Sequence, residues 1–176
     1  MKTTAAQRGA VNELVATFLG QDDHERAVVV SPRMIEFFCP GKPQQQGSKV
    51  KGRYGNLREA NTELAGWRER VALAAHTAMG GRPMLDRKTP VEMRMEFVLY
   101  RPQATPVSRP TPAATKAPDI DKLVRAVLDA LSGVAYADDV QVVRLEVGKR
   151  VAEVNEPLGV HVVMLPVIGV SRLATA

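Results

Sequence analysis

A chain of 176 residues with 45% hydrophobic and 24% charged side chains has the size and composition of one globular domain with or without tails, and not those of a disordered chain. The single cysteine, Cys39, excludes an intrachain disulfide and a cysteine-based zinc centre, and His24, His76 and His161 share no metal-ligand spacing. A net charge of +5 permits a polyanionic partner without demanding one.

In chain order, residues 1–26 read as an appendage. Val11, Leu14, Val15, Phe18 and Leu19 recur at helical spacing, Gly20 ends that helix, and residues 21–26 form a charged linker. Residues 1–19 hold no continuous apolar stretch of the signal-peptide kind. No run reaches the ~18–20 apolar residues of a membrane span. The expectation is a cytoplasmic protein with no membrane association. Residues 34–38 read as a strand. Residues 40–55, with Pro40, Gly41, Pro43, Gly47, Gly52 and Gly55, are expected to hold no regular structure.

Residues 61–79 read as a helix with Leu64, Trp67, Val71, Ala74, Ala75 and Ala78 on one face, stopped by Gly80 and Gly81. Residues 91–100 alternate as a strand, with Val91, Met93, Met95, Phe97 and Leu99 on one side and Glu92, Arg94 and Glu96 on the other. Residues 102–118 form a second open loop. Residues 119–132 predict a helix with the stripe Ile120, Leu123, Val124, Val127, Leu128 and Leu131, ended by Gly133. Residues 139–151 alternate as a strand, and residues 158–165 predict the last one. The order (α)-β-α-β-α-β-β defines an α+β domain with helices packed on a mixed sheet. The expected boundaries are an extension over 1–30, the domain over 31–168 and a tail over 169–176.

Charge is unevenly spread. Residues 41–58 carry Lys42, Lys49, Lys51, Arg53 and Arg58 and no acid; residues 101–118 carry Arg101, Arg109 and Lys116 and again no acid. These eight cations exceed the net charge of the whole chain, so the remainder is net acidic. Solvated loop charge explains this in part; a grip on phosphates explains it too.

The acids are just as patterned. Asp119 and Asp121 open a helix directly after Pro118, and the pair Asp138-Asp139 precedes a strand. Helix capping accounts for either of the first two alone. It does not call for two aspartates one residue apart, nor for the later pair. Asp121, Arg125 and Asp129 follow at intervals of four, which a surface salt-bridge ladder would also show. Alternation puts Asp139 on one strand face with Gln141, Val143 and Lys149. If the helix start packs beside that strand start, three carboxylates converge. Such a cluster is stable only around a cation, and with no Cys or His ligand near, a hard one: Mg²⁺, with Mn²⁺ as substitute. That ion can activate water against a phosphodiester, and Arg125 is placed to stabilise the charge that develops.

The blocks Lys116-Ala117-Pro118-Asp119-Ile120-Asp121-Lys122-Leu123-Val124-Arg125, continuing through Asp129 to Leu131, then Asp138-Asp139-Val140-Gln141 and Lys149, resemble the RusA family of Holliday-junction resolvases. The resemblance runs over residues 34–165. It implies a homodimeric, divalent-metal endonuclease that cuts four-way DNA junctions in recombination and repair, without an organic cofactor and commonly of phage origin. It implies Asp119, Asp121 and Asp139 as metal-binding catalytic carboxylates and Arg125 as the accompanying cation. Lys42, Lys49, Lys51, Arg53, Arg58, Arg109, Lys116, Lys122 and Lys149 are the expected DNA contacts. Two residues depart from the family pattern: Lys122 stands where Asn is usual, and Arg125 where Lys is usual. The competing reading is a catalytically impaired junction- or DNA-binding protein. A nuclease of the PD-(D/E)xK type is disfavoured because the downstream acid-x-Lys spacing is missing.

Overall fold

The computed structural model describes residues 26–30, 34–47, 49–51, 57–59 and 61–172. The helix expected over 11–19 lies outside them. The sheet is organised by one long strand, β7 (Gly159–Arg172). One edge of β7 pairs antiparallel with β5 (Val91–Leu99); the other pairs first with β2 (Ile35–Pro40) and then with β1 (Arg26–Val30). β6 (Val142–Val151) runs parallel to β5, which makes the sheet mixed as expected. Pairing of β1 with the end of β7 continues past both expected boundaries, residues 31 and 168. At the β2–β7 contact Gly159 is needed for space: a Cβ there would lie 2.3 Å from the Cys39 carbonyl oxygen.

The loop expected over 40–55 does contain regular structure. β3 (Lys49–Lys51) and β4 (Leu57–Glu59) form a separate antiparallel ribbon. Gly and Pro delimit short strands there rather than forbidding them.

Two helices cover the sheet. α1 (Leu64–Met79) buries Leu64, Trp67, Val71, Ala75 and Met79 at spacings of three and four, and Gly80 ends it at φ +58°. α2 (Ile120–Leu131) buries Leu123, Ala126, Val127, Ala130 and Leu131. Its buried stripe is rotated from the predicted one: Ile120 is 38% exposed, and the small residues Ala126 and Ala130 take the core side. One core joins both helices to Met93, Met95 and Phe97 of β5 and Val160, Val162 and Met164 of β7. Despite the low aromatic content, Trp67, Tyr136 and Phe97 are among its largest members.

β5, α2 and β6 form a crossover between parallel strands. The helix must run back along the sheet, antiparallel to both strands. Hence the start of α2 lies at the C-terminal ends of β5 and β6, and its end lies where β6 begins.

Candidate active site

The loop 40–47 and the loop 100–118 meet at the start of α2. Asp119 occupies the N-cap position, yet its carboxylate makes no capping hydrogen bond. The alternative of helix capping therefore does not account for Asp119. The loop instead fixes the backbone around it: Gln45 Oε1 accepts the Asp119 backbone N–H at 3.0 Å, and the Gln46 N–H donates to the Lys122 carbonyl at 3.0 Å. A few residues away, Gln44 bridges Glu63 at 2.7 Å and Asn61 at 3.1 Å, anchoring the loop to the front of α1. Gln44, Gln45 and Gln46 were missed by sequence reasoning. Three neutral amides in a row, in a loop without acids, were the available signal: amides satisfy backbone groups without adding charge.

Asp119 and Asp121 both stand exposed on the first turn. The Lys122 ammonium donates to Asp119 Oδ2 at 2.6 Å. That hydrogen bond and the Lys122 charge, aided by Lys149, hold the Asp119 carboxyl below the usual carboxylate range, so it is ionised. Lys149 donates to the carbonyls of Pro118 at 2.8 Å and Lys116 at 3.0 Å, stapling the end of the long loop to β6. Its ammonium thus braces the backbone that leads into Asp119. Lys42 and Lys116 are exposed beside it, as is Arg125 one turn along α2.

Asp139 is elsewhere. It lies on a 3-10 turn, Asp139–Gln141, and not on the strand, so the alternation inferred for it does not apply. Asp138 caps that turn by accepting the Val140 N–H, and the buried Gln141 side chain accepts the Ala137 and Asp138 N–H groups while donating to Asp86 and Thr89. Asp138 is therefore the residue that shapes the turn presenting Asp139. The turn sits at the far end of α2, where the Tyr136 hydroxyl donates to the Leu128 carbonyl at 3.0 Å. Burial first, then the Asp139 charge, pushes that hydroxyl's pKa upward. A 12-residue helix is about 18 Å long. Most of that length separates Asp139 from Asp119 and Asp121, and the convergence of three carboxylates does not occur within one chain. Among the described residues no group of three or more His, Cys, Asp or Glu side chains is placed to hold a metal ion.

Other expectations resolve as follows. Asp129 pairs with Arg68 of α1, not with Arg125. Val143, expected to share a face with Asp139, is exposed on β6, as is Leu145. Arg109 is exposed on the long loop. Arg101 is engaged inside that loop, donating to Thr111 and to the Arg109 and Pro106 carbonyls. Lys49 and Lys51 lie on β3 and Arg58 on β4, while Arg53 falls outside the described residues.

The donor set at the start of α2 is purely oxygen: two exposed carboxylates one residue apart. It fits a hard divalent ion such as Mg²⁺, which binds through one or two carboxylates and keeps several waters. Exposed acids flanked by lysines at a loop junction could bind a cation and a phosphate together. Residues 40–163 match the family model of the endodeoxyribonuclease RusA, covering all of these elements and well over half the chain. The chain belongs to the RusA family and is an endodeoxyribonuclease. No individual curated protein matches it. Among the described residues no helix is long and apolar enough to cross a membrane.

Proposed function

We propose that this chain resolves four-way DNA junctions by metal-dependent hydrolysis and that it works as a homodimer. The observation carrying the reading is the uncapped, ionised Asp119 beside Asp121, at the meeting point of two lysine-bearing loops. Asp119 and Asp121 would hold the ion; bound there, Mg²⁺ supplies Lewis acidity toward the phosphate and lowers the pKa of water. Lys149 and Gln45 fix the backbone from which both acids project. Lys42 and Lys116 attract the flanking phosphates, and Arg125 faces charge that builds on the cut one. Arg125 would act there through the charge and geometry of its guanidinium.

The separation of Asp139 supports the dimer. Among the described strands β6 pairs only with β5; Val143 and Leu145 on it are 62% and 40% exposed, and Val140 on the turn before it is 80% exposed. A two-fold axis near Leu145, joining two β6 strands antiparallel, would set the start of one beside the end of the other. Asp139 of one protomer would then approach Asp119 and Asp121 of its partner. Two such composite sites suit a substrate with two strands to cut.

The test is incubation with a labelled synthetic four-way junction and a matched linear duplex, in Mg²⁺, Mn²⁺ and EDTA. Paired symmetric nicks in the junction alone, abolished by EDTA, are expected. Tight junction binding without nicks under either metal would overturn the catalytic reading.

A further inference from the structure

Beneath the long loop lies a cavity of about 500 Å³ that the phosphodiester chemistry does not use. Its floor is the paired strand ends Leu99 and Val151, both buried. Prolines and alanines of residues 102–118 line it, as does Tyr100, which is 54% exposed. Among the described residues, Lys42 and Lys116 are its only charged lining. Across Lys42, Pro43, Ala117 and Pro118 it adjoins a second, more open hollow lined by Gln44, Gln45 and Asn61. Both hollows border Pro118, the residue before Asp119.

The cavity is preformed. Arg101 ties Thr111 and the Arg109 carbonyl together, Thr111 donates to Glu153, and Lys149 holds Lys116 and Pro118. The loop expected to be open is thus fastened to β6 at its end and to the segment following β6 near its middle.

We propose that this cavity receives one unstacked nucleobase of the strand being cut, next to the phosphate at Asp119 and Asp121. The inference rests on the endonuclease reading above. Charge decides the class of ligand: an apolar hollow rimmed by two lysines and no acid, opening beside metal-binding carboxylates, suits an aromatic base carried on an anionic chain. Every base has a π-face for Tyr100 and the prolines, so stacking requires no particular sequence. Thr105 and Thr115 line the same cavity, and a threonine hydroxyl can hydrogen-bond a base edge, which would add preference. Unstacking costs least where continuous stacking is already interrupted, and a junction's branch point is such a place.

The experiment places 5-iododeoxyuridine, one position at a time, on either side of the cut bond of a junction bound to the full chain, and maps the photocrosslink by peptide mass. A crosslink to Tyr100 from one position is expected. Abasic substitution at that position should slow cutting roughly tenfold, as loss of one base–aromatic stack predicts. Filling the cavity with Ala104→Trp, or separately Ala113→Trp, should abolish the crosslink and flatten the base preference beside the cut. Crosslinks confined to other surfaces, with abasic scanning silent at every position, would overturn the proposal while junction cutting stands. A change of dimer mass in the Trp variants with unchanged base preference would assign the cavity to a second copy and overturn it too. If the unmodified chain neither binds nor cuts junctions, the cavity proposal and the resolvase reading fall together.

Discussion

The Gln45 side chain accepts the backbone N–H of Asp119, the residue that opens α2, across 74 positions of sequence. A helix start normally takes its own Asp side chain as cap. Here that side chain makes no capping bond: the Gln45 amide oxygen holds the residue's own N–H, and the carboxylate accepts from the Lys122 ammonium. Gln45→Ala should lower Tm by about 2–4 °C, the scale of one lost hydrogen bond in a chain of this size. Its larger effect should be on kcat, with junction affinity nearly unchanged, because the acids lose their fixed backbone. Equal losses of binding and of cutting would mean that Gln45 contacts DNA instead.

Lys122 holds the place of a neutral residue in the family pattern and bonds Asp119 at 2.6 Å. A divalent ion bound at Asp119 would have to displace that ammonium. Lys122→Asn should therefore tighten Mg²⁺ binding severalfold, read by calorimetry on DNA-free protein, and should shift the metal dependence of cutting to lower concentration. Weaker Mg²⁺ binding in the variant would show that Lys122 supports the site rather than competing for it.

How much of this was legible in advance follows from the range of each interaction. The helices and β5 were readable because burial imposes a local period, and Leu64, Trp67, Val71 and Met93, Met95, Phe97 obey it. The stripe of α2 was misjudged at Ile120 because small Ala126 and Ala130 allow close packing that a hydrophobicity pattern does not register. Asp119 and Asp121 could be found from local spacing. The position of Asp139 could not, since it depends on the direction in which a crossover helix returns. Gln45 was invisible for the same reason: its partner lies 74 residues away, and nothing periodic marks it.

The β3–β4 ribbon carries Lys49 and Lys51, with Arg53 between its strands. Changing these three residues to Gln should weaken junction binding and lower the slope of log K against log salt by about 2–3, near 0.9 for each phosphate no longer neutralised. Filter binding at four or more salt concentrations measures it. An unchanged slope would place the ribbon away from DNA.

Glu156 accepts from Arg150 Nη1 and Nη2 at 2.6 and 2.5 Å and from the Glu153 N–H at 2.8 Å, closing the turn between β6 and β7. The Arg150 hydrogen bonds, then the backbone bond, hold its carboxyl down at about 2. The folded value lies below the ordinary one, so the stabilisation is complete above the ordinary carboxylate pKa and is lost as pH falls toward about 2. Glu156→Gln should melt below the unmodified chain at pH 7, and the gap should close progressively in acid below about 4.5. A gap independent of pH would show that the charge of Glu156 does not matter.

The composite site makes the sharpest demand. Asp121→Asn and Asp139→Asn should each abolish cutting while junction binding persists, because each removes one carboxylate and leaves the basic loops intact. If every site drew all its acids from one chain, a mixture of the two variants would stay inactive. If one protomer supplies Asp119 and Asp121 and its partner supplies Asp139, a mixed dimer contains one doubly damaged site and one wholly intact site. Co-refolding the variants in equal amounts should then restore cutting of a single strand, visible as nicked junction without paired products. Restoration should disappear when Asp121→Asn is mixed with Asp119→Asn, since both lesions fall on the same side of the composite site. No activity in the first mixture, with exchange of protomers verified by mass, would rule out the shared site and require Asp139 to act within its own chain.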